Sequence, residues 1–331
     1  MTLAKPIVEI RSTGRFLPDK VLTNKDLESM VDTSDQWITE RTGIKERRIA
    51  EEGLLTAEMG ASAARIALER GGYTPEDVDF LVVSTATPDR LLPSTACDIQ
   101  ALIGASNAVA LDLSAACSGF IYGLSMAEGY LAAGRGKVAL VISTEMMSRI
   151  IDWEDRSLCV LFGDGAGAVV LTASSDGERG IVSSHMKSDG KLAGLLHRPA
   201  GGVAMPLNPE VILAKSHLMQ MAGREIFKSA VRSMADAAKH ALEDANLCAE
   251  DVDLMIPHQA NIRIIESTAR YAGISMDRTF VNVDRYGNMS SASIPVALDE
   301  ALEQGLIGPG ANVLTVAFGA GLTWGSMVLR F

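Results

Sequence analysis

Short β-branched and apolar runs alternate with longer helical patterns along most of the chain. The runs at 78–84, 109–113 and 138–143 read as strands, as do those at 252–256, 279–283 and 312–317. Elsewhere apolar positions recur every three to four residues, most clearly at 119–133 (GFIYGLSMAEGYLAA) and 223–240 (GREIFKSAVRSMADAAKH), which read as helices. This alternation predicts an α/β fold with helices covering a mostly parallel sheet. In such sheets chemistry gathers beyond the carboxyl ends of the strands.

The pattern also repeats. Residues 63–79 align with 237–253 at an offset of 174, with nine of 17 positions identical. The same offset carries Gly134-Arg-Gly136 onto Gly308-Pro-Gly310, each followed by an apolar strand. An ancient duplication explains both, and its period is too long for a solenoid. The expected organisation is two similar α/β halves, 1–174 and 175–331. No Pro/Gly/Ser linker or charge run separates them, so they should pack as one layered body.

Composition narrows the function. The 331 residues are 47% hydrophobic but only 5% aromatic, with 30 glycines, which suits tightly packed helices on sheets. A formal charge of −11 argues against nucleic acid as the general partner, and an acidic partner would need a local basic patch. The four cysteines form no C-x-x-C pair and do not cluster with the five histidines, so neither a metal nor a disulfide framework is expected. The start, MTLAKPIVEIRSTG, lacks a signal-peptide apolar region, and no apolar run approaches a membrane span. A cytoplasmic protein without membrane contact is the expectation.

Three polar residues follow predicted strands. Cys117 lies after the buried-looking strand 109–113, at the start of the helix 119–133, among small residues. The positive end of the helix favours a thiolate there, which proposes covalent catalysis. A free cysteine is also commonly just a small buried apolar residue. His258 follows the strand VDLMI and Asn288 follows the strand TFVNV. Singly, a histidine is usually structural and an asparagine beside Gly and Ser is usually a turn or cap. Together, three such residues at three strand ends favour a site built across the two halves.

These stretches resemble the β-ketoacyl-[acyl-carrier-protein] synthase III family of thiolase-fold condensing enzymes. The matching motifs are Asp32-Thr-Ser-Asp-Gln-Trp37, Arg41-Thr-Gly-Ile44, Cys117 with its flanks, and Phe162-Gly-Asp-Gly-Ala-Gly167. They continue with His258-Gln-Ala-Asn-Ile-Arg263, Tyr286-Gly-Asn-Met-Ser290 and Phe318-Gly-Ala-Gly-Leu-Thr-Trp-Gly325, in the family's order and over nearly the whole chain. The resemblance implies a layered αβαβα body and the initiating step of type II fatty acid synthesis. An acyl-CoA primer, acetyl-CoA by default, would acylate Cys117. Malonyl-[acyl carrier protein] would then lose CO₂ and attack the acyl-enzyme.

The resemblance also implies roles. His258 and Asn288 would stabilise the enolate, and the backbone N–H groups of Cys117 and Ala320 would form the oxyanion hole. Many relatives carry Gly at the position of Ala320, so the hole depends on a backbone that suits alanine. Trp37 and Arg156 would hold the adenine of CoA, Thr33 and Arg41 its adenine and phosphate region, and Asn261 the pantetheine arm. Gln259, Ala260, Asn261, Ile262 and Arg263 would form the carrier-protein motif. Two basic stripes would support docking: Arg224, Lys228 and Arg232 on one helix, Arg263 and Arg270 on the next. Leu92 would close the acyl pocket of a partner subunit, and Phe318 would line the same region. The family is homodimeric and uses no metal or other cofactor beyond its CoA thioester.

Other readings have weaker support. The run Gly163-Asp-Gly-Ala-Gly167 fails the dinucleotide spacing and reads as a structural glycine turn. No G-x-S-x-G elbow occurs. A thiolase would need a second cysteine near the C-terminus, and none follows Cys248. Elongating ketosynthases use a second histidine where this chain has Asn288. A secondary-metabolite relative with the same three residues is the nearest rival. A non-catalytic carrier-protein-binding homologue is the most distant.

Overall fold

The computed structural model describes residues 7–331. Helices α1 (Asp35–Thr42), α2 (Thr56–Gly71), α3 (Thr95–Ile103) and α4 (Gly119–Ala132) belong to the first half. Helices α5 (Gly223–Asp244), α6 (Ile262–Ala272) and α7 (Ser293–Glu303) belong to the second. The first sheet contains β1 (Val8–Phe16), β2 (Phe80–Ser84), β3 (Val109–Leu113), β4 (Val138–Met146) and β5 (Asp164–Ala173). Its spatial order is β1-β5-β4-β2-β3. The second sheet contains β6 (Gly180–Ser188), β7 (Leu254–Pro257), β8 (Asn312–Gly319) and β9 (Thr323–Arg330), in the order β7-β8-β9-β6.

Apolar burial produces five layers. Helices α2 and α3 pack on the outer face of the first sheet through Met59, Ala63, Leu68 and Ile99. Helices α4 and α7 fill the space between the sheets, with Phe120, Leu124, Ile294 and Leu298 fully buried. Helices α5 and α6 cover the outer face of the second sheet through Ile226, Met234 and Ile264. The body is thus the expected layered αβαβα arrangement.

Three expectations need correction. The sheets are mixed rather than mostly parallel. Strands β4, β2 and β3 run parallel, and so do β7 and β8, whereas β1, β5, β6 and β9 pair antiparallel with their neighbours. The reason is local: β8 returns directly into β9 without a crossover helix, which parallel neighbours require. Strand β3 is not buried but forms the edge of its sheet, with Val109 53% exposed. Residues 279–283 are not a strand. They keep one parallel bridge, Thr279 to Met255, beyond which the Gln259 side chain takes their backbone groups. Its Nε2 donates to Phe280 O at 3.1 Å, and its Oε1 accepts from Asn282 N at 3.0 Å and Val283 N at 3.2 Å.

The glycine run is also not a turn. Gly165 and Gly167 lie inside β5, where the other half comes close. A Cβ on Gly165 would sit 2.6 Å from Met289 Sδ, and one on Gly167 would sit 2.7 Å from Pro295 Cβ. Glycine here permits close packing between the halves.

Candidate active site

The 174-residue offset extends to backbone detail. Helix α4 starts at Gly119 and α7 at Ser293. Three residues before each helix, and one before the equivalent positions Cys117 and Ser291, the chain enters the left-handed region: Ala116 has φ 46° and Ser290 has φ 48°. Such values are uncommon for residues with a Cβ and mark sharp, over-determined turns. Each turn leads directly into a buried helix, the first after strand β3 and the second after the short helical turn Val283–Tyr286.

Cys117 is 7% exposed, within a short 3₁₀ turn that runs into α4. Gly119 is needed for this approach, since a Cβ there would lie 1.7 Å from Ser84 Oγ. The thiol donates to Ser290 Oγ at 3.4 Å. Burial pushes its pKa up to about 12. This corrects the expectation of a resting thiolate.

His258 follows β7 and is 2% exposed. Its backbone N–H donates to Val316 O at 2.8 Å, which fixes it to β8. Its Nδ1 lies 2.7 Å from Ser293 Oγ, and that oxygen also accepts from Gln259 N at 3.3 Å. The Ser293 hydroxyl can donate to Nδ1, the arrangement that leaves the ring hydrogen on Nε2. Burial drives the His258 pKa down to about 3, so the imidazole is neutral.

Asn288 is 7% exposed and held at both backbone groups. Its N–H donates to Leu161 O at 2.8 Å, and its carbonyl accepts from Gly163 N at 3.1 Å. The Ser290 amide donates to Asn288 Oδ1 at 2.8 Å. That contact identifies the side-chain oxygen and leaves the NH₂ group as a donor. His258 and Asn288 are thus two neutral donors, suited to an enolate oxygen.

Cys117, His258, Asn288 and Ala320 line one cavity of about 210 Å³, whose walls include Met147, Phe227 and Phe318. Ala320 lies outside the left-handed region, so its backbone accommodates alanine. Gly319 was not singled out in the sequence, yet it governs this corner. A Cβ there would lie 2.8 Å from both Ala115 O and Cys117 N. Thr323 Oγ1 clamps the same corner, 2.6 Å from Ser118 Oγ, 3.0 Å from Ala115 O and 3.1 Å from Ala320 O.

Helix α1 presents Trp37 beneath two guanidinium groups. Arg156 lies 5.0 Å and Arg41 6.0 Å from the ring centroid. Arg156 also donates to Asp32 O at 2.7 Å. The buried hydroxyl of Thr33 has no protein partner. Asn261 caps α6 by accepting from Ile264 N at 3.0 Å, which leaves its NH₂ facing the cavity it lines. A second depression, which shares Phe227 and Asn261 with this cavity, is bordered by Arg41, Arg224, Lys228 and Arg263. A third is bordered by Lys228, Arg232, Arg270 and Tyr271.

Within the Gln259–Arg263 motif the residues separate. Gln259 is fully buried, so its place as a carrier-protein contact is corrected: it braces residues 280–283 instead. Ala260 and Asn261 face the cavity, and Ile262 packs against Gly43. Arg263 alone is exposed. Leu92 is 86% exposed and does not join Phe318 at the cavity wall of its own chain.

A cysteine opposite two neutral donors, at the junction of two equivalent sheets, defines a thiolase-like condensing enzyme. Residues 111–190 match the family model described as 3-Oxoacyl-[acyl-carrier-protein (ACP)] synthase III, and residues 242–331 match its C-terminal model. The β-ketoacyl-[acyl-carrier-protein] synthase III of Natranaerobius thermophilus is 51% identical over 98% of this chain and 99% of its own. The crystal structure of 3-oxoacyl-[acyl-carrier-protein] synthase III from Aquifex aeolicus VF5 is 48% identical, with TM-score 0.91, covering 98% of this chain and 100% of that one. The priming β-ketosynthase of the R1128 polyketide pathway is 35% identical with TM-score 0.92, covering 100% and 98%. The chain belongs to the β-ketoacyl-[acyl-carrier-protein] synthase III family. It is an acyltransferase-type initiating condensing enzyme of fatty acid synthesis.

Proposed function

We propose that the protein condenses an acyl-CoA primer with malonyl-[acyl carrier protein] through an acyl-Cys117 intermediate. The observation that carries this reading is the convergence of Cys117, His258 and Asn288 on one cavity. In the first half-reaction the Cys117 sulfur attacks the thioester carbonyl. The N–H groups of Cys117 and Ala320 receive the oxyanion, and the thiol proton leaves with the CoA sulfur. In the second, the malonyl thioester oxygen sits between His258 Nε2–H and the Asn288 NH₂. Charge moves onto that oxygen as the C–CO₂ bond breaks, and the carbanion then displaces Cys117 from the acyl group. Two preorganised neutral donors suit this step, because an ionised neighbour would change the charge that must be stabilised.

Trp37, Arg41, Arg156 and Thr33 would hold the nucleotide end of CoA, with Asn261 on the pantetheine arm. Arg224, Lys228, Arg232, Arg263 and Arg270 would dock the acidic carrier protein. None of them has an ion-pair partner among the described residues. Charge concentrated on one face of an otherwise acidic protein steers an acidic partner. The exposed edge β3 and the exposed Leu91 and Leu92 support a homodimer in which Leu92 reaches the partner's primer pocket. The halves 1–174 and 175–331, a cytoplasmic location and catalysis without a metal complete the reading. No helix among the described residues is long and apolar enough to cross a membrane. Purified protein with acetyl-CoA and malonyl-[acyl carrier protein] should release CO₂ and give 3-oxobutyryl-[acyl carrier protein] by mass spectrometry. Acyl exchange without a condensed product would reject the reading.

A further inference from the structure

Glu145, near the end of β4, is fully buried, yet no cation pairs with it among the described residues. Its partners are hydroxyls and backbone amides from both halves. On one side, Oε2 accepts from Ala86 N at 2.9 Å and Thr87 Oγ1 at 3.1 Å. On the other, Oε1 lies 2.7 Å from Ser291 Oγ and 3.4 Å from Ser291 N. One carboxyl group therefore ties the segment after β2 to the turn Asn288–Ser291. That turn carries two contacts the chemistry needs: Ser290 N holds Asn288 Oδ1, and Ser290 Oγ accepts from the Cys117 thiol.

Thr85 Oγ1 also approaches Oε2, at 3.5 Å, and the network can hold a protonated acid. Thr87 Oγ1 already accepts from Met146 N at 2.8 Å, so its own proton is free for Oε2. A proton on Oε1 would go to Ser291 Oγ, whose hydroxyl then donates to Ser84 O at 3.3 Å. Every member of the chain is satisfied, as buried polar networks require. Burial without a counter-ion raises the Glu145 pKa, in the same direction. An ionised Glu145 raises the Cys117 pKa, after burial, and opposes charge on its sulfur.

We propose that Glu145 is a positioning residue of the condensation, a neutral carboxylic acid that holds the Asn288–Ser291 turn against Cys117 through hydrogen bonds. This rests on the roles given above to Cys117 and Asn288. Glu145→Gln comes closest to a neutral acid: its oxygen accepts from Ala86 and Thr87 and its amide donates to Ser291 Oγ, with only the 3.4 Å bond from Ser291 N lost. Glu145→Asp keeps the acid but is one methylene too short to serve both sides.

The test compares condensation turnover with Cys117 acylation measured separately by intact mass. Glu145→Gln should condense within about threefold of the wild type. Glu145→Asp should lose about tenfold or more in condensation kcat, as expected for two lost hydrogen bonds, with acylation and the KM for acyl-CoA little changed. A glutamine variant slowed about tenfold or more in condensation would mean that a neutral group cannot take the place of the carboxyl, which overturns the proposal. So would an aspartate variant with wild-type turnover, or one that loses both half-reactions equally. If the aspartate variant does not fold, the glutamine variant decides alone. Failure of wild-type Cys117 to acylate would instead sink the proposed function.

Discussion

Gly319→Ala probes the oxyanion corner with the smallest possible change. The added methyl would meet Ala115 O and Cys117 N at 2.8 Å and Ser118 N at 3.0 Å. All three atoms are backbone, so no side chain can swing away. Ordinary contact begins at 3.4 Å, so the end of β8 or the Cys117 turn must move by about 0.6 Å. That shift separates the amides of Cys117 and Ala320, which must both reach one oxyanion within about 2.7–3.1 Å. Losing one such donor costs roughly 10²–10³ in rate. Overpacking itself costs about 1–3 kcal/mol, so the variant should still fold. Rapid-quench intact mass should show acylation by acetyl-CoA slowed roughly 10²-fold or more, with the melting transition only modestly lowered. An acylation rate within about threefold of the wild type would refute the placement of the oxyanion hole.

Asn288→Ala should lower decarboxylation of malonyl-[acyl carrier protein] by roughly 10²–10³ while leaving Cys117 acylation intact. Equal loss in both half-reactions would place Asn288 elsewhere in the mechanism. Because burial raises the Cys117 pKa to about 12, iodoacetamide alkylation of the free enzyme should keep accelerating from neutral pH past pH 10. A plateau below pH 9 would mean that the thiolate is stabilised at rest. Arg263→Glu should raise the KM for malonyl-[acyl carrier protein] by about tenfold or more without slowing acylation by acyl-CoA. A parallel loss with acyl-CoA would reject Arg263 as a docking residue.

Much of the architecture was legible because burial imposes periodicity. The runs at 80–84, 138–143 and 312–317 are strands buried on both faces, and the 174-residue offset aligned β2 with β7 and β4 with β8. The same signal misled where composition and neighbours diverged. Residues 109–113 carry the apolar side chains of an interior strand, yet they form a sheet edge. Residues 279–283 have strand composition, but a buried amide 20 residues upstream, Gln259, competes for their backbone.

Cys117 and His258 were legible as strand-end polar groups, Asn288 only through a strand that does not form, and the orientation of all three was not legible. The positive φ values at Ala116 and Ser290 leave no trace in residue type, since neither is glycine. Which His258 nitrogen carries the hydrogen depends on Ser293 and Gln259, and the direction of Asn288 depends on the Ser290 amide. Glu145 left one available signal: a lone acid inside the apolar run that continues β4 to Met146. Gly319 looked like one more glycine in a rich motif until its Cβ direction was known.

The central claim is that Cys117 carries the acyl group between two half-reactions. Intact-mass analysis of the wild type and Cys117→Ala, each with a panel of straight and branched acyl-CoAs, tests it most directly. The account predicts a single acyl adduct on the wild type, mapped to Cys117, with the primer range read from the same spectra. It predicts no adduct on the alanine variant. An adduct that persists without Cys117 would contradict the mechanism.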